Sequence, residues 1–301
     1  MTDMIRPEWI ALDWGTTNLR AFAMQGSRVL AKSRSSDGMS KLARDGFEPA
    51  MVKLIEPWLQ AGQVPILACG MVGSRQGWVE APYRSVPCNP LGDSLAKAPS
   101  KHGFDVRVIH GLSQASPADV MRGEETQIAG FLALNPGWDG VLCMPGTHTK
   151  WVHLSAEEVV SFQSFMTGEL FDLLSNISVL RHSMSGEGWD AETFLTAVSD
   201  AISAPERLAA RLFNLRAADL LQSKAPDVTR ASLSGYLVGA ELAAARAYWL
   251  GQNIAILGMG RQARAYETAL QSQGAFPMLV DTERATLAGL TAAYRSQKEL
   301  T

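Results

Sequence analysis

Two short turns in this 301-residue chain place a glycine and hydroxyls directly after an apolar run. The first is Asp13-Trp14-Gly15-Thr16-Thr17, after Trp9-Ile10-Ala11-Leu12. An aspartate at a strand end can hold hydrated Mg2+, a hard cation that takes oxygen ligands and keeps several waters. Gly15 lets the backbone come close to a phosphate. The N–H groups of a tight turn, with the Thr16 and Thr17 hydroxyls, can then donate to phosphate oxygens. Alone, such a turn reads better as an ordinary hairpin with polar turn residues. The second is Pro145-Gly146-Thr147-His148-Thr149, which follows Gly140-Val141-Leu142-Cys143-Met144 and precedes Lys150-Trp151-Val152. Two such hairpins, one opening each half of the chain, suggest two phosphate clamps facing each other across a cleft.

Three further segments carry chemistry. Ile256-Leu257-Gly258-Met259-Gly260-Arg261-Gln262-Ala263 is a Gly-x-Gly-x-x-Ala run between a strand and a helix, and Asp281 lies 21 residues past Gly260. That pattern copies a dinucleotide fingerprint. Only one strand and one helix follow it, however, and a dinucleotide reading leaves both Gly-Thr turns unexplained. The other reading lets adenosine lie against Gly258 and Gly260 at a helix N-terminus. In Arg122-Gly123-Glu124-Glu125-Thr126-Gln127, Glu125 stands three, four and seven residues before Ile128, Ala129 and Leu132. It therefore shares a helix face expected to pack inward, where a carboxylate needs a partner. Glu124 stands four before Ile128, so spacing alone does not separate the two. Last, the loop from Gly70 to Tyr83 carries Ser74, Arg75 and Trp78. Arg75 can grip a carboxylate with its fork, and Trp78 or Tyr83 can pack on an apolar sugar face.

The elements that must position these residues alternate. Strands are expected at 9–13, 19–24, 29–34, 64–69 and 106–109, with a helix over 47–60 and another opened by Asp119 through Leu134. Asn135-Pro136-Gly137 breaks the chain, and a second unit starts with strands at 140–144 and 150–154. Helical stretches at 191–221 and 232–250 follow, then a strand at 254–257, a helix to about 271, a strand at 277–281 and a helix over 283–296. Alternation of this kind gives an α/β protein, with domains expected at 1–138 and 139–301.

Composition sets the outer limits. Apolar residues are 47% and charged residues 19%, which excludes a largely disordered chain. The net charge of −3 argues against nucleic-acid binding through phosphate contacts. Cys69, Cys88 and Cys143 form no C-x-x-C pair, so they read as reduced thiols rather than a zinc site or a disulfide framework. The N-terminus does not read as a signal peptide, and no apolar stretch approaches the ~18 residues of a membrane span. The expectation is a soluble cytoplasmic protein, with a homodimer as the assembly considered.

Together these segments resemble the 2-dehydro-3-deoxygalactonokinase family, in the superfamily of actin, sugar kinases and heat-shock chaperone ATPases. The residues that carry the resemblance are Ala11-Leu12-Asp13-Trp14-Gly15-Thr16-Thr17-Asn18-Leu19-Arg20, Gly70-Met71-Val72-Gly73-Ser74-Arg75, Met121-Arg122-Gly123-Glu124-Glu125-Thr126-Gln127, Pro145-Gly146-Thr147-His148-Thr149-Lys150-Trp151-Val152 and Phe165-Met166-Thr167-Gly168-Glu169. Met144-Pro145 departs from the Asp-x-Gly that many superfamily members have there. The resemblance implies a two-domain actin-like (ribonuclease H-like) ATPase fold with an interdomain cleft. It also implies ATP with Mg2+ and phosphorylation of the 6-hydroxyl of a 2-dehydro-3-deoxy sugar acid in galactonate breakdown. Asp13 would then support the metal. Gly15, Thr16, Thr17, Gly146 and Thr147 would hold phosphates, and Gly258 and Gly260 the adenosine. A similar Gly-x-Glu-Glu segment in the exopolyphosphatase branch implies Glu125 as the base. Arg75 and Arg20 are the cations for the substrate carboxylate, with Ser74, Trp78, Thr167 and Glu169 around the sugar. A superfamily phosphatase, an NAD-linked dehydrogenase and a non-catalytic sugar sensor are the alternatives.

Overall fold

In the computed structural model, which describes residues 5–184 and 188–299, the chain divides into two compact units. One is Met1–Trp138 with Ser155–Ser161 and Thr282–Thr301; the other is Asp139–Leu154 with Phe162–Asp281.

The first unit is built on β1 (Trp9–Trp14), β2 (Leu19–Gln25), β3 (Arg28–Ser35), helix α1 (Phe47–Ile55) and β4 (Ile66–Gly70). Then come β5 (Tyr83–Ser85), β6 (Ala96–Lys97), β7 (Val106–Val108), β8 (Gly111–Ala115), β9 (Ala118–Met121) and α2 (Glu124–Leu134). The main sheet has the order β3-β2-β1-β4-β7-β6, and β5, β8 and β9 form a small second sheet. β1 is antiparallel to β2 and parallel to β4. Its side chains alternate between two cores, as strand geometry requires. Ile10, Leu12 and Trp14 pack into the cluster with Phe47 and Met51 of α1. Trp9 and Ala11 pack into the cluster with Leu67 and Cys69 of β4. Period two therefore sends Asp13 to the Trp9 and Ala11 face, opposite Cys69 in the β1–β4 register.

The second unit opens with β10 (Gly140–Met144) and β11 (Thr149–Ser155), and resumes at Phe162 within β12 (Glu158–Phe165), whose first half clusters with the first unit. It continues through α3 (Thr167–Asn176), α4 (Ala191–Ser203), α5 (Leu208–Gln222), α6 (Pro226–Ala244), α7 (Arg246–Trp249), β13 (Ile254–Leu257), α8 (Gly260–Ser272) and β14 (Met278–Val280). Its sheet order is β12-β11-β10-β13-β14. An antiparallel three-strand meander continued by parallel strands thus occurs once in each unit. Val141, Cys143, Ile254 and Ile256 are buried with Phe194 and Val198 of α4 and Ala231 and Val238 of α6.

The last helix, α9 (Thr282–Glu299), belongs to the first unit. The contiguous domain expected at 139–301 is corrected accordingly. Leu290, Ala293 and Tyr294 of α9 are buried with Trp9 and Ala11, and Trp9 stacks on Tyr294 with centroids 4.4 Å apart. α9 also packs along α2. A Cβ on Gly130 would strike the Ala285 carbonyl, and one on Gly289 the Thr126 carbonyl, so the two glycines let the helices touch backbone to backbone. The helix expected from Asp119 starts instead at Glu124. Asp119 lies in β9, and Gly123, at φ +103°, separates strand from helix. No helix among the described residues is long and apolar enough to cross a membrane.

Candidate active site

The first Gly-Thr turn is rigidly backed. Gly15 N–H donates to the Asn18 carbonyl at 2.9 Å, and the N–H groups of Met39 and Ser40 donate to the Gly15 and Thr16 carbonyls at 3.0 Å each. With those carbonyls turned inward, the Thr16 and Thr17 side chains stay exposed. Below the turn, the Arg20 guanidinium donates to Asp13 Oδ2, and the Cys69 thiol lies 4.0 Å from Asp13 Oδ1. Arg20 also lies 3.8 Å from Glu283.

Glu125 joins this cluster from the start of α2. It is 0% exposed. One carboxyl oxygen accepts the Gly123 N–H at 2.6 Å and the other the Thr126 hydroxyl at 3.0 Å. Burial, reinforced by the charge of Glu124, pushes its pKa up to about 8. Burial also raises the Cys69 thiol well above its usual range, and both Asp13 and Glu125 add to that rise. The same thiol is within hydrogen-bond reach of Thr126. Asp13, Cys69, Thr126 and Glu125 are therefore one cluster. Glycines make room for it. Gly70, at φ +92°, runs so close to β1 that a Cβ would sit 2.6 Å from the Trp14 carbonyl, and a Cβ on Gly123 would sit 3.2 Å from Gly70 Cα.

The Gly70–Tyr83 loop divides differently from expectation. Trp78 is 3% exposed, donates to the Pro99 carbonyl at 2.9 Å and packs on Trp14 and Phe47. It is a core residue, which corrects the sugar-face reading. Ser74 is buried with no hydrogen-bond partner for its hydroxyl. Arg75 has an 81% exposed side chain and reaches Glu80 through Nε at 3.3 Å. Sequence reasoning passed over Arg122, whose guanidinium donates to the Ala81 carbonyl at 2.7 Å and lies 4.4 Å from the centre of the Tyr83 ring. It ties the loop to the strand before α2.

In the second unit, Gly146, Thr147, Thr167 and Glu169 line one cavity of about 490 Å3. Gly168 carries no side chain for a steric reason: a Cβ there would collide with the Gly146 carbonyl. The Glu169 N–H donates to the Thr147 carbonyl at 2.9 Å, and the Glu169 carboxylate lies 2.6 Å from His148 Nε2. The Thr167 hydroxyl is committed to Glu241. Thr167 and Glu169 thus belong to the second turn and its cavity, where the sequence had suggested a sugar wall. Gly258 and Gly260 do not themselves line the cavity, but the next residues, Arg261 and Gln262, do. Gln262 donates to the Gly146 carbonyl at 3.0 Å. Phe171 of α3, Trp189 just before α4 and Arg230 of α6 were missed. Arg230 sits 4.9 Å from the centre of the Phe171 ring, so the cavity has both an aromatic wall and cations.

Comparison with known proteins bears on this geometry. The family model described as 2-keto-3-deoxy-galactonokinase matches residues 13–293. The chain is 38% identical to "Probable 2-dehydro-3-deoxygalactonokinase DgoK1" of Rhizobium meliloti (strain 1021), over 96% of this chain and 97% of that protein. It is 36% identical to the 2-dehydro-3-deoxygalactonokinase of Escherichia coli (strain K12), over 94% and 96%. A crystal structure of a Sinorhizobium meliloti protein, 38% identical, superposes with a TM-score of 0.90 over 96% of this chain and 98% of that one. The activator of 2-hydroxyisocaproyl-CoA dehydratase from Clostridium difficile shares the fold at 12% identity, with a TM-score of 0.55 over 97% and 96%. With the strand order repeated in both units, this is the actin-like, ribonuclease H-like α/β fold. A dinucleotide reading of Gly258-x-Gly260 finds no support in any of these comparisons.

Proposed function

The chain belongs to the 2-keto-3-deoxy-galactonokinase family, and from that premise we propose that it transfers the terminal phosphoryl group of ATP to the 6-hydroxyl of 2-dehydro-3-deoxy-D-galactonate in galactonate breakdown. One observation carries the mechanism: Asp13, at the end of β1 just before the exposed Gly15–Thr17 turn, lies 4.0 Å from the Cys69 thiol, and that thiol also bonds Thr126 and feels the charge of the buried Glu125.

Phosphoryl transfer is mostly positioning and charge stabilisation. The Gly15–Thr17 turn of the first unit and the Gly146–Thr147 turn of the second each offer donors to phosphate oxygens of ATP. The cavity beside Gly146 takes the adenosine, with Phe171 and Trp189 against the base and Gly258 and Gly260 shaping the approach to α8. Glu125 accepts the proton of the attacking hydroxyl. Its raised pKa suits it to hold that proton in water-free surroundings. Among the described residues no cluster of three or more His, Cys, Asp or Glu is placed to cage a metal. That suits Mg2+, which takes one or two carboxylates and finds its other ligands on phosphates and water. Asp13 is the residue that would hold it, and when bound it neutralises charge on the phosphate oxygens.

The two ends of the substrate need different residues. Its 6-hydroxyl and its carboxylate lie at opposite ends of a six-carbon chain. Arg20 is bonded to Asp13 and so belongs to the phosphate end. Arg75, which keeps its terminal fork exposed, is the proposed cation for the carboxylate, with Ser74 beside it.

The test is ADP release with a panel of 2-dehydro-3-deoxy sugar acids. Turnover should depend on the sugar acid and be fastest with the galactonate derivative. ADP release without any sugar acid would make the chain a phosphatase, and no release with any of them would end the kinase proposal.

A further inference from the structure

Glu241 stands in the last turn of α6, 3% exposed, and no step above uses it. A buried carboxylate is costly unless donors surround it. Three donors converge here, each from a different element. They are the Trp151 indole N–H of β11 at 2.7 Å, the Thr167 hydroxyl at the start of α3, and the Tyr266 hydroxyl of α8 at 2.8 Å. The Tyr266 oxygen is also 2.9 Å from the hydroxyl of Thr149, the first residue after the second turn.

These elements are the ones that shape the nucleotide cavity. Thr167 and Tyr266 line it directly. When an ionised Glu241 accepts from all three donors, Tyr266 has spent its proton and accepts from Thr149. A single directed chain then runs from Thr149 through Tyr266 to Glu241, and a second donor reaches Glu241 from Thr167. Thr149 is where the turn leaves for β11. Thr167 immediately precedes Gly168, whose backbone abuts the Gly146 carbonyl, and Glu169 N–H holds the Thr147 carbonyl. Both flanks of the turn are therefore tied to one carboxylate. Packing alone is non-directional, whereas hydrogen bonds to a charged acceptor fix angle as well as distance.

Resting on the nucleotide role proposed above for this cavity, we propose that Glu241 is a positioning residue that holds the second glycine–threonine turn and the start of α3 in the geometry that binds the ATP phosphates. Glu241→Gln is the sharp variant. It keeps volume but removes the charge: with its oxygen on the Trp151 N–H, its amide NH2 donates to the Thr167 and Tyr266 hydroxyls, which reverses those two bonds and ends the charge assistance of all three. Thr149→Val cuts the chain at its far end while leaving Glu241 and its three donors in place.

The experiment measures ATP-dependent thermal shift and steady-state kinetics for wild type, Glu241→Gln, Thr149→Val and the double variant. In Glu241→Gln the KM for ATP should rise on the order of tenfold, as expected when charge-assisted hydrogen bonds become neutral and two of them reverse direction, while the KM for the sugar acid stays within about twofold. Thr149→Val should raise the ATP KM by a smaller factor, and the double variant should add little to Glu241→Gln, because the two act through one chain. An unchanged ATP KM in Glu241→Gln, whatever its melting temperature, would make the network purely structural and overturn the inference. Equal rises in both KM values would overturn it too, since they report general loosening. If Glu241→Gln does not fold, Thr149→Val decides by the same two criteria. Wild type that ATP fails to stabilise would refute the nucleotide role itself, a separate failure visible before any variant is made.

Discussion

Glu125 in the first unit and Glu241 in the second are both buried carboxylates, and the two are used differently. Glu125 is the second residue of a helix, bonded by the N–H groups of residues 123 and 125 and by the Thr126 hydroxyl, with the Asp13 carboxylate in the same cluster. Glu241 is in the last turn of a helix, with three donors from three elements. Both are pushed up by burial, to about 8 and about 7. The difference lies in where the donors come from. Those of Glu125 are local, from residues 123, 125 and 126 at its own helix start, and leave it beside Cys69 and Asp13. Those of Glu241 come from β11, α3 and α8 and tie three elements together. Burial of an acid therefore does not by itself identify a base; what matters is which elements its hydrogen bonds hold and what lies beside it.

The largest effect expected from that contrast is in kcat. Glu125→Gln keeps shape and hydrogen bonding but cannot take a proton, so kcat should fall by about 10²–10⁴-fold while both substrates still bind. Glu124→Gln should be milder, because Glu124 accepts the Arg122 N–H at the helix start and its charge mainly raises its neighbour. Near-normal kcat in Glu125→Gln with a large loss in Glu124→Gln would reverse the assignment. The pH dependence sharpens it. Activity should rise with pH through about 8, as Glu125 ionises, and the rise should vanish in Glu125→Gln. Stability should run the other way. The folded chain holds this proton more tightly than the unfolded one, so the contribution is complete below the ordinary value of 4.5 and is lost as pH rises through about 8. A melting temperature that falls from pH 5 to 8.5 in wild type, and falls less in Glu125→Gln, would bear that out.

The two turns form the second contrast. Asp13 ends β1 opposite Arg20, whereas Met144 ends β10 opposite Lys150. The first turn thus brings an acid for a metal; the second brings only cations, with Lys150 buried. Asp13→Asn should lower kcat by about 10²–10³-fold, the scale of removing one preorganised charge contact, and should raise the Mg2+ concentration needed for half-maximal rate. Met144→Leu should change neither quantity. A smaller effect is expected from Gly168→Ala. The new methyl group would press on the Gly146 carbonyl, costing roughly 1–3 kcal/mol as overpacking does. It should raise the KM for ATP and leave that for the sugar acid alone. Equal changes in both constants would mean that the second turn does not serve the nucleotide specifically.

Local pattern made much of this legible. Apolar alternation and polar turns marked both hairpins, and three-four spacing put Glu125 or Glu124 on an inward helix face, the choice of Glu125 coming from the resemblance to the exopolyphosphatase segment. What stayed hidden depended on backbone signs or on distant partners. β12 was missed because the Ala156-Glu157 turn takes φ of +50° and +63° without the glycine or asparagine that normally announces it. Asp119 looked like a helix cap, yet it sits in a hairpin whose strand ends before Gly123. The C-terminal helix was assigned to the wrong unit because its partner, Trp9, lies at the other end of the chain. Trp78 looked like a sugar platform because a glycine-rich loop gives no sign of the Trp14 and Phe47 rings beneath it. The cavity residues Phe171, Trp189 and Arg230 belong to helical stretches and their approaches, which sequence showed only as alanine- and leucine-rich or left unassigned.

Arg75 gives the smallest expected effect and the finest test of the division of labour between the units. Its guanidinium is largely in water and bound only through Nε to Glu80, so a substrate carboxylate gripped there gains little from a low dielectric. Geometry is what it adds. A guanidinium fork matches both carboxylate oxygens, and an ammonium can offer only a point charge. Arg75→Lys should therefore raise the KM for the sugar acid about three- to tenfold, a change of about 1 kcal/mol, with kcat and the KM for ATP nearly unchanged. A substrate analogue with an amide in place of the carboxylate should lose affinity in wild type and should no longer distinguish wild type from Arg75→Lys. If the variant instead loses ATP affinity, the Gly70–Tyr83 loop supports the phosphate turn through the Gly70 contact with Trp14, and the carboxylate is held elsewhere in the first unit.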